Sequence, residues 1–220
     1  MLEHVYILKY GESFLPEDQV LAGGDPRVKC PISFCFYLLQ TTTRNILVDV
    51  GCDTMPGFAM RHFCSPVQVL GALGLSPTDV TDVIITHAHH DHIDGLRHFA
   101  HARIYIQEEA LAKGQKYIPD GTEVVTFSDV CTVAEDIEAV HIGGHAVGSS
   151  VVRFDHQGTV YTVVGDECYT PACVELDIPT GVSKDPARSA AFLRDYGQGH
   201  LLYCHDPAIL PNQNGVLRLF

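Results

Sequence analysis

The chain has 220 residues, a length that suits one domain, 1–220, with a good-sized core. Its hydrophobic fraction of 46% and mean hydropathy of +0.09 exclude a disordered chain. The formal net charge is −13, and the 14 Lys and Arg residues form no cluster, which excludes the broad basic face that nucleic-acid binding requires.

The N-terminus, MLEHVYILKYGE, shows no basic segment followed by a long apolar run and a small-residue cleavage site, so no signal peptide is read. No stretch approaches the roughly 18 to 20 apolar residues that span a bilayer. The expectation is a cytoplasmic protein with no membrane partner. Eight cysteines are scattered along the chain (Cys30, Cys35, Cys52, Cys64, Cys131, Cys168, Cys173 and Cys204) without a Cys-x-x-Cys pair. They read as reduced thiols, most of them small buried apolar residues.

In chain order, strands are expected at Val5 to Lys9, Ile32 to Thr41 and Asn45 to Val50. The continuous apolar run Phe34 to Leu39 suits a strand covered on both faces. Gly11 to Pro31, with its Gly and Pro residues, reads as a long loop. Cys64 to Leu73 has helical spacing, with Ser65 as N-cap and Gly74 as stop. Asp82 to Thr86 is a buried strand running into His87, with helix from Leu96 onward. Then follow a strand at Arg103 to Ile106, a short helix at Glu108 to Lys113, and strands at Glu123 to Phe127, Cys131 to Val133 and Ile137 to His141. Ser150 to Asp155 and Thr159 to Val164 form a hairpin around Gln157-Gly158. Ala187 to Tyr196 is a helix, and Leu201 to Cys204 a last strand. Strand-rich order with interspersed helices suits an α/β (α+β) four-layer αββα sandwich.

Residues 86–95 read T-H-A-H-H-D-H-I-D-G, placing four histidines and one aspartate within six positions between a strand and a helix. Imidazole nitrogens and a carboxylate suit zinc, and also iron or manganese. A histidine-rich surface turn is the bland alternative, but it leaves three downstream residues unexplained. His145 in G-G-H-A-V-G-S lies between two strands, while Asp166 in V-V-G-D-E and His205 in L-Y-C-H-D each end one.

The pattern His87-x-His89-x-Asp91-His92, then His145, Asp166 and His205, resembles the metallo-β-lactamase superfamily. Leu47-Val48-Asp49-Val50-Gly51 is similar to that family's early strand motif, so the resemblance covers nearly the whole chain. It implies two divalent metal ions, zinc by default. One would be held by His87, His89 and His145, the other by Asp91, His92 and His205, with Asp166 and a water or hydroxide bridging them. Asp49 would orient a histidine ligand, or else be a strand-end cap. His90 reads as pocket lining or as a structural side chain, and His141 and the other histidines as non-ligands.

A two-metal site of this kind points to hydrolysis. Tyr169, three positions after Asp166 in G-D-E-C-Y-T, resembles a tyrosine of the N-acyl-homoserine-lactone lactonases, and the ending C-H-D-P is also similar to theirs. By that resemblance the bridging hydroxide attacks a small-molecule lactone. Tyr169 stabilises the oxyanion, and Asp91 or Asp166 returns a proton to the leaving oxygen. Tyr169 as an ordinary half-buried aromatic is the alternative. Phe14, Leu15, Met55, Phe58, Met60 and Phe63 are candidates for an apolar wall, or equally for loop anchors.

The chain departs from those lactonases at His90, where they often carry an apolar residue, and at Ala146-Val147-Gly148-Ser149, where they commonly carry Thr/Ser-Pro-Gly-His. A thioester hydrolase of glyoxalase-II type is the nearest rival, although only 15 residues follow His205, where that type adds a basic helical region. A small-molecule phosphodiesterase stays open. A non-catalytic binding module is disfavoured because such members tend to lose ligands. A secreted β-lactamase often has Cys where Asp166 stands, nucleases need basic surfaces, and flavodiiron proteins need a flavodoxin domain.

Overall fold

A computed structural model describes all residues, Met1–Phe220. Apolar strands that alternate their side chains between two faces need cover on both sides. Seven strands form the larger sheet: β1 (Leu2–Pro16), β2 (Lys29–Thr41), β3 (Asn45–Val48), β4 (Asp82–Ile85), β5 (Arg103–Gln107), β6 (Val124–Phe127) and β12 (Val216–Arg218). Five form the smaller: β7 (Val130–Ala134), β8 (Ile137–His141), β9 (Ser150–His156), β10 (Thr159–Val163) and β11 (His200–Leu202). Strand order is β12-β1-β2-β3-β4-β5-β6 in one sheet and β11-β10-β9-β8-β7 in the other.

Three separate apolar clusters define four layers. Ile7, Tyr37, Ile84 and Tyr105 of the large sheet meet Ile137, Val152 and Phe154 of the small one, which places this cluster between the sheets. The opposite faces of the large-sheet strands, Leu8, Leu38, Val83 and Ile104, pack beneath α2 (Pro66–Gly71), α3 (His90–Ile93) and α4 (Glu108–Gly114). Val151 and Val164 pack beneath α5 (Pro171–Leu176) and α6 (Pro186–Tyr196). The architecture is therefore an αββα sandwich. No helix is long and apolar enough to cross a membrane.

Several local expectations correspond to observed elements. Ser65 opens α2 with a capping box that pairs it with Gln68. Gln157 and Gly158 both have positive φ, 55° and 82°, as a two-residue hairpin turn requires. All eight cysteines are free thiols, five of them buried.

The segment Gly11 to Pro31 is corrected: it is not a long loop. β1 continues to Pro16 because Gly11 to Pro16 pair in register with Phe34 back to Lys29, and α1 (Glu17–Val20) makes the turn. A register shift between Lys9 and Gly11 marks the bulge where the hairpin bends. The helix expected from Leu96 starts earlier, at His90, and tightens into a 3-10 turn over Asp94–His98. Gly95 lies against the Val50 carbonyl there, so close that a Cβ would sit 2.5 Å from the oxygen. β11 ends at Leu202 because the chain then leaves the small sheet and crosses to the large one. The Cys204 and His205 carbonyls accept from the Cys35 and Ser33 amides at 3.0 and 3.1 Å.

Candidate metal centre

The parallel strands β3 and β4 end side by side, and the chain after each carries functional side chains. Asp49 follows β3, and His87 to His92 follow β4. At the same edge the small sheet touches the large one, where the Ser150 amide donates to the Thr86 carbonyl at 2.8 Å. His145, on the turn between β8 and β9, Asp166 just beyond β10, and His205 beyond β11 all converge on this edge.

The seven side chains singled out in the sequence come together as two adjoining groups. His87, His89, His145 and Asp166 place one ligand atom each within 4.8 Å of one another, as do Asp91, His92 and His205. Asp166 faces both. Its Oδ2 lies 3.4 Å from His87 Nε2 and 3.3 Å from His145 Nε2, while its Oδ1 lies 3.0 Å from both His92 Nε2 and His205 Nε2. Asp91 Oδ2 completes the second group, 3.7 Å from His92 Nε2 and 3.9 Å from His205 Nε2.

Three of the rings are oriented from behind. Asp49 Oδ2 accepts from His92 Nδ1 at 2.7 Å. Asp49 is itself fixed by the Thr86 amide and hydroxyl, both at 2.8 Å. His87 Nδ1 lies 3.1 Å from the Thr86 hydroxyl, and His205 Nδ1 donates to the Ser33 carbonyl at 2.8 Å. A proton held on Nδ1 leaves the Nε2 lone pair facing the cluster, the tautomer that metal ligation needs. Asp49 adopts a left-handed backbone, φ 60°, which aspartate tolerates better than most residues.

The donor set fits divalent cations. His87 Nε2 and His92 Nε2 are fully buried, point inward and make no aligned hydrogen bond. His145 Nε2 and His89 Nδ1 approach to 2.9 Å, so two ring nitrogens converge on one point. Buried polar atoms normally find partners, and a cation among these lone pairs supplies one.

Charge among these side chains follows from burial and from Asp166. Burial lowers the His87 imidazole to about 4 and lowers His89 and His145 as well, keeping these rings neutral and ready to ligate. Burial pushes His92 and His205 the same way, but the surrounding carboxylates, Asp166 first, outweigh it and raise both. Burial would raise Asp166, yet the histidines around it hold its carboxyl well below the usual range. Burial raises the Tyr169 phenol well above its ordinary value, with Asp166 and Asp91 adding to the effect, so it stays protonated.

Tyr169 is 7% exposed, its ring 4.8 Å from His205 and 5.9 Å from His145. His90 turns away from the cluster. Its Nε2 is 2.8 Å from the Thr54 carbonyl, and its Nδ1 is 3.5 Å from the Tyr117 hydroxyl. His141 is bound to the Val147 carbonyl at 2.8 Å. Of the apolar-wall candidates, Met60 is buried in the core, and Leu15 and Phe63 pack against it, while Phe14, Met55 and Phe58 are exposed. Phe58 lies 5.9 Å from Phe34, which in turn packs edge-on against His205 at 5.1 Å.

Sequence reasoning missed Glu167, a fully buried carboxylate that accepts from the Gly144 and His145 amides and from the Ser149 hydroxyl. Burial raises its carboxyl, and these donors partly offset the rise. The only available signal was an acidic residue inside the apolar stretch V-V-G-D-E-C.

The family model of the metallo-beta-lactamase superfamily matches residues 36–207, and the chain belongs to that superfamily. Among individual proteins, it is 25% identical over 159 residues to the N-acyl homoserine lactonase AiiB of Agrobacterium fabrum. That match takes in 61% of this chain and 56% of the relative, so the chain spans little more than half of that protein's length. Among solved structures, its fold is similar to an N-acyl homoserine lactone hydrolase bearing the product N-hexanoyl-L-homoserine at its catalytic metal centre. The TM-score is 0.83 with 18% identity, over 94% of each chain. It is also similar to AidC, a dizinc quorum-quenching lactonase, with a TM-score of 0.74 and 17% identity over 98% of this chain and 92% of that one.

Proposed function

We propose that this chain is a metal-dependent hydrolase that opens lactones, with N-acyl homoserine lactones as the first substrates to test. His87, His89 and His145 would hold one divalent ion, and Asp91, His92 and His205 a second, with Asp166 shared between them. Zinc is the default ion, and iron or manganese suit the same donors. Bound there, two such ions supply a nucleophilic water at neutral pH and polarise a carbonyl.

The chain's own groups provide the rest. The observation that carries the lactone reading is Tyr169, a protonated phenol packed against His145 and His205, one from each ligand group. A donor there can stabilise the oxyanion of a carbonyl under attack. Asp91, with a side chain 18% exposed, is more open than Asp166 at 3%. It is therefore better placed than Asp166 to take the proton given up by the attacking water and pass it to the leaving alkoxide. Phe58 and Met55, both exposed, would give an acyl chain its apolar approach.

The test is a substrate panel with the metal-loaded protein: short- and long-chain N-acyl homoserine lactones, a simple lactone, a glutathione thioester and a phosphodiester. Rapid acid release from the lactones supports the reading. Inert lactones beside a turning-over thioester or phosphodiester would keep the metal site and overturn the role given to Tyr169.

A further inference from the structure

His145 is held differently from its neighbours. His87, His92 and His205 each have a partner on Nδ1, whereas His145 Nδ1 is buried with none. Its ring is therefore aimed by its backbone, and that backbone is gripped from both sides. The Gly144 carbonyl accepts from the Lys184 and Asp185 amides at 2.9 Å each, at the start of α6. The amides are taken by Glu167: Gly144 N donates to Oε1 at 3.1 Å, and His145 N donates to Oε1 and Oε2 at 3.2 and 3.1 Å. The Ser149 hydroxyl donates to the same Oε1. It is also 2.7 Å from the Ala146 carbonyl, tying the far end of the turn to the same carboxylate. A Cβ on Gly144 would sit 2.4 Å from Glu167 Oε2, so this approach requires glycine there.

We propose that Glu167 is a positioning residue that sets His145 for metal binding through the backbone of the 143–149 turn, replacing the ring partner His145 lacks. The inference rests on the two-ion reading above. Glu167 follows Asp166 directly, so one dipeptide carries the carboxylate shared by both ligand groups and the carboxylate that fixes a histidine of the first. Removing Glu167 leaves two buried amides, those of Gly144 and His145, unpaired and frees the turn to shift. Loss of such supporting contacts typically weakens metal binding by about 10–100-fold. The effect falls on the ion held by His87, His89 and His145, while Asp91, His92 and His205 keep their own supports.

The experiment is metal content by mass spectrometry after dialysis against graded chelator, on wild type, E167A, E167Q and S149A, with the melting temperature of each metal-free protein in parallel. Wild type is expected to retain two ions. E167A should lose one of them at about 10- to 100-fold lower chelator than wild type. E167Q, which keeps one acceptor oxygen, and S149A should fall between. If E167A does not fold, E167Q and S149A decide alone. Variants that melt lower yet bind both ions like wild type would reduce Glu167 to a structural role and overturn the proposal. Simultaneous loss of both ions would also overturn it. A wild type that binds no metal defeats the two-ion reading instead, and so separates the two failures.

Discussion

Asp49 and His92 meet at 2.7 Å, Oδ2 to Nδ1, both side chains almost wholly buried. The contact fixes the ring so that Nε2 faces Asp166 and His205, and it makes the chain after β3 part of a centre whose proposed ligands follow β4, β8, β10 and β11. Replacing Asp49 with Ala removes this acceptor and strands the Thr86 amide and hydroxyl. The expected outcome is about 10–100-fold weaker metal binding, read by competition with a fluorescent chelator. Unchanged affinity would make Asp49 a strand-end cap only.

Tyr169 to Phe keeps the aromatic packing and deletes the phenol. Turnover should fall by about 10²-fold, the usual cost of losing one oxyanion donor, while metal content stays at the wild-type level. kcat and kcat/KM should fall together, as expected for an interaction made in the transition state. Unaltered turnover would return Tyr169 to the ordinary half-buried aromatic that its sequence position also allows.

The metal-free protein should be most stable near pH 6.5. Burial lowers His87 to about 4 from its ordinary 6.5, and lowers His89 and His145 too. Between about pH 4 and 6.5 the unfolded chain therefore holds more protons at these rings, and stability drops as pH falls. At His92 and His205 burial is outweighed by Asp166 and both are raised. Their contribution is complete below the unfolded value and is lost as pH rises through the folded ones. Urea denaturation of chelator-treated protein at about pH 5, 6.5 and 9 checks this, and a steady rise in stability across that range would contradict it.

Arg44 joins the sheets away from the metal centre. It pairs with Asp82, whose side chain is 4% exposed, and donates to the Val133 carbonyl of the other sheet at 2.6 Å. Arg44 to Ala leaves Asp82 buried with only the Thr81 hydroxyl. A loss of about 2–3 kcal/mol in urea unfolding is expected, below the full buried-pair figure because Arg44 is 24% exposed. Metal content should not change.

The centre was more legible in the sequence than the frame around it. Metal ligation calls for specific residue types, so the candidates His87, His89, Asp91 and His92 stand out by spacing, and His145, Asp166 and His205 by their place just beyond apolar runs; the structure brings all seven side chains together. Gly11 to Pro16 could not be read as strand because their partners are the residues back to Lys29, and local Gly and Pro outweighed that pairing. β12, a three-residue strand, and α5 were also missed, since short elements leave no periodicity to detect. Glu167 escaped notice because its partners are backbone amides of a turn more than twenty residues earlier.

Two-ion lactone opening is tested most directly by the rate of ring opening as metal is added back to chelator-stripped protein. The rate should be negligible without metal and should rise to saturation at two ions per chain. Full activity in the stripped protein, or saturation at one ion, would contradict two-ion opening.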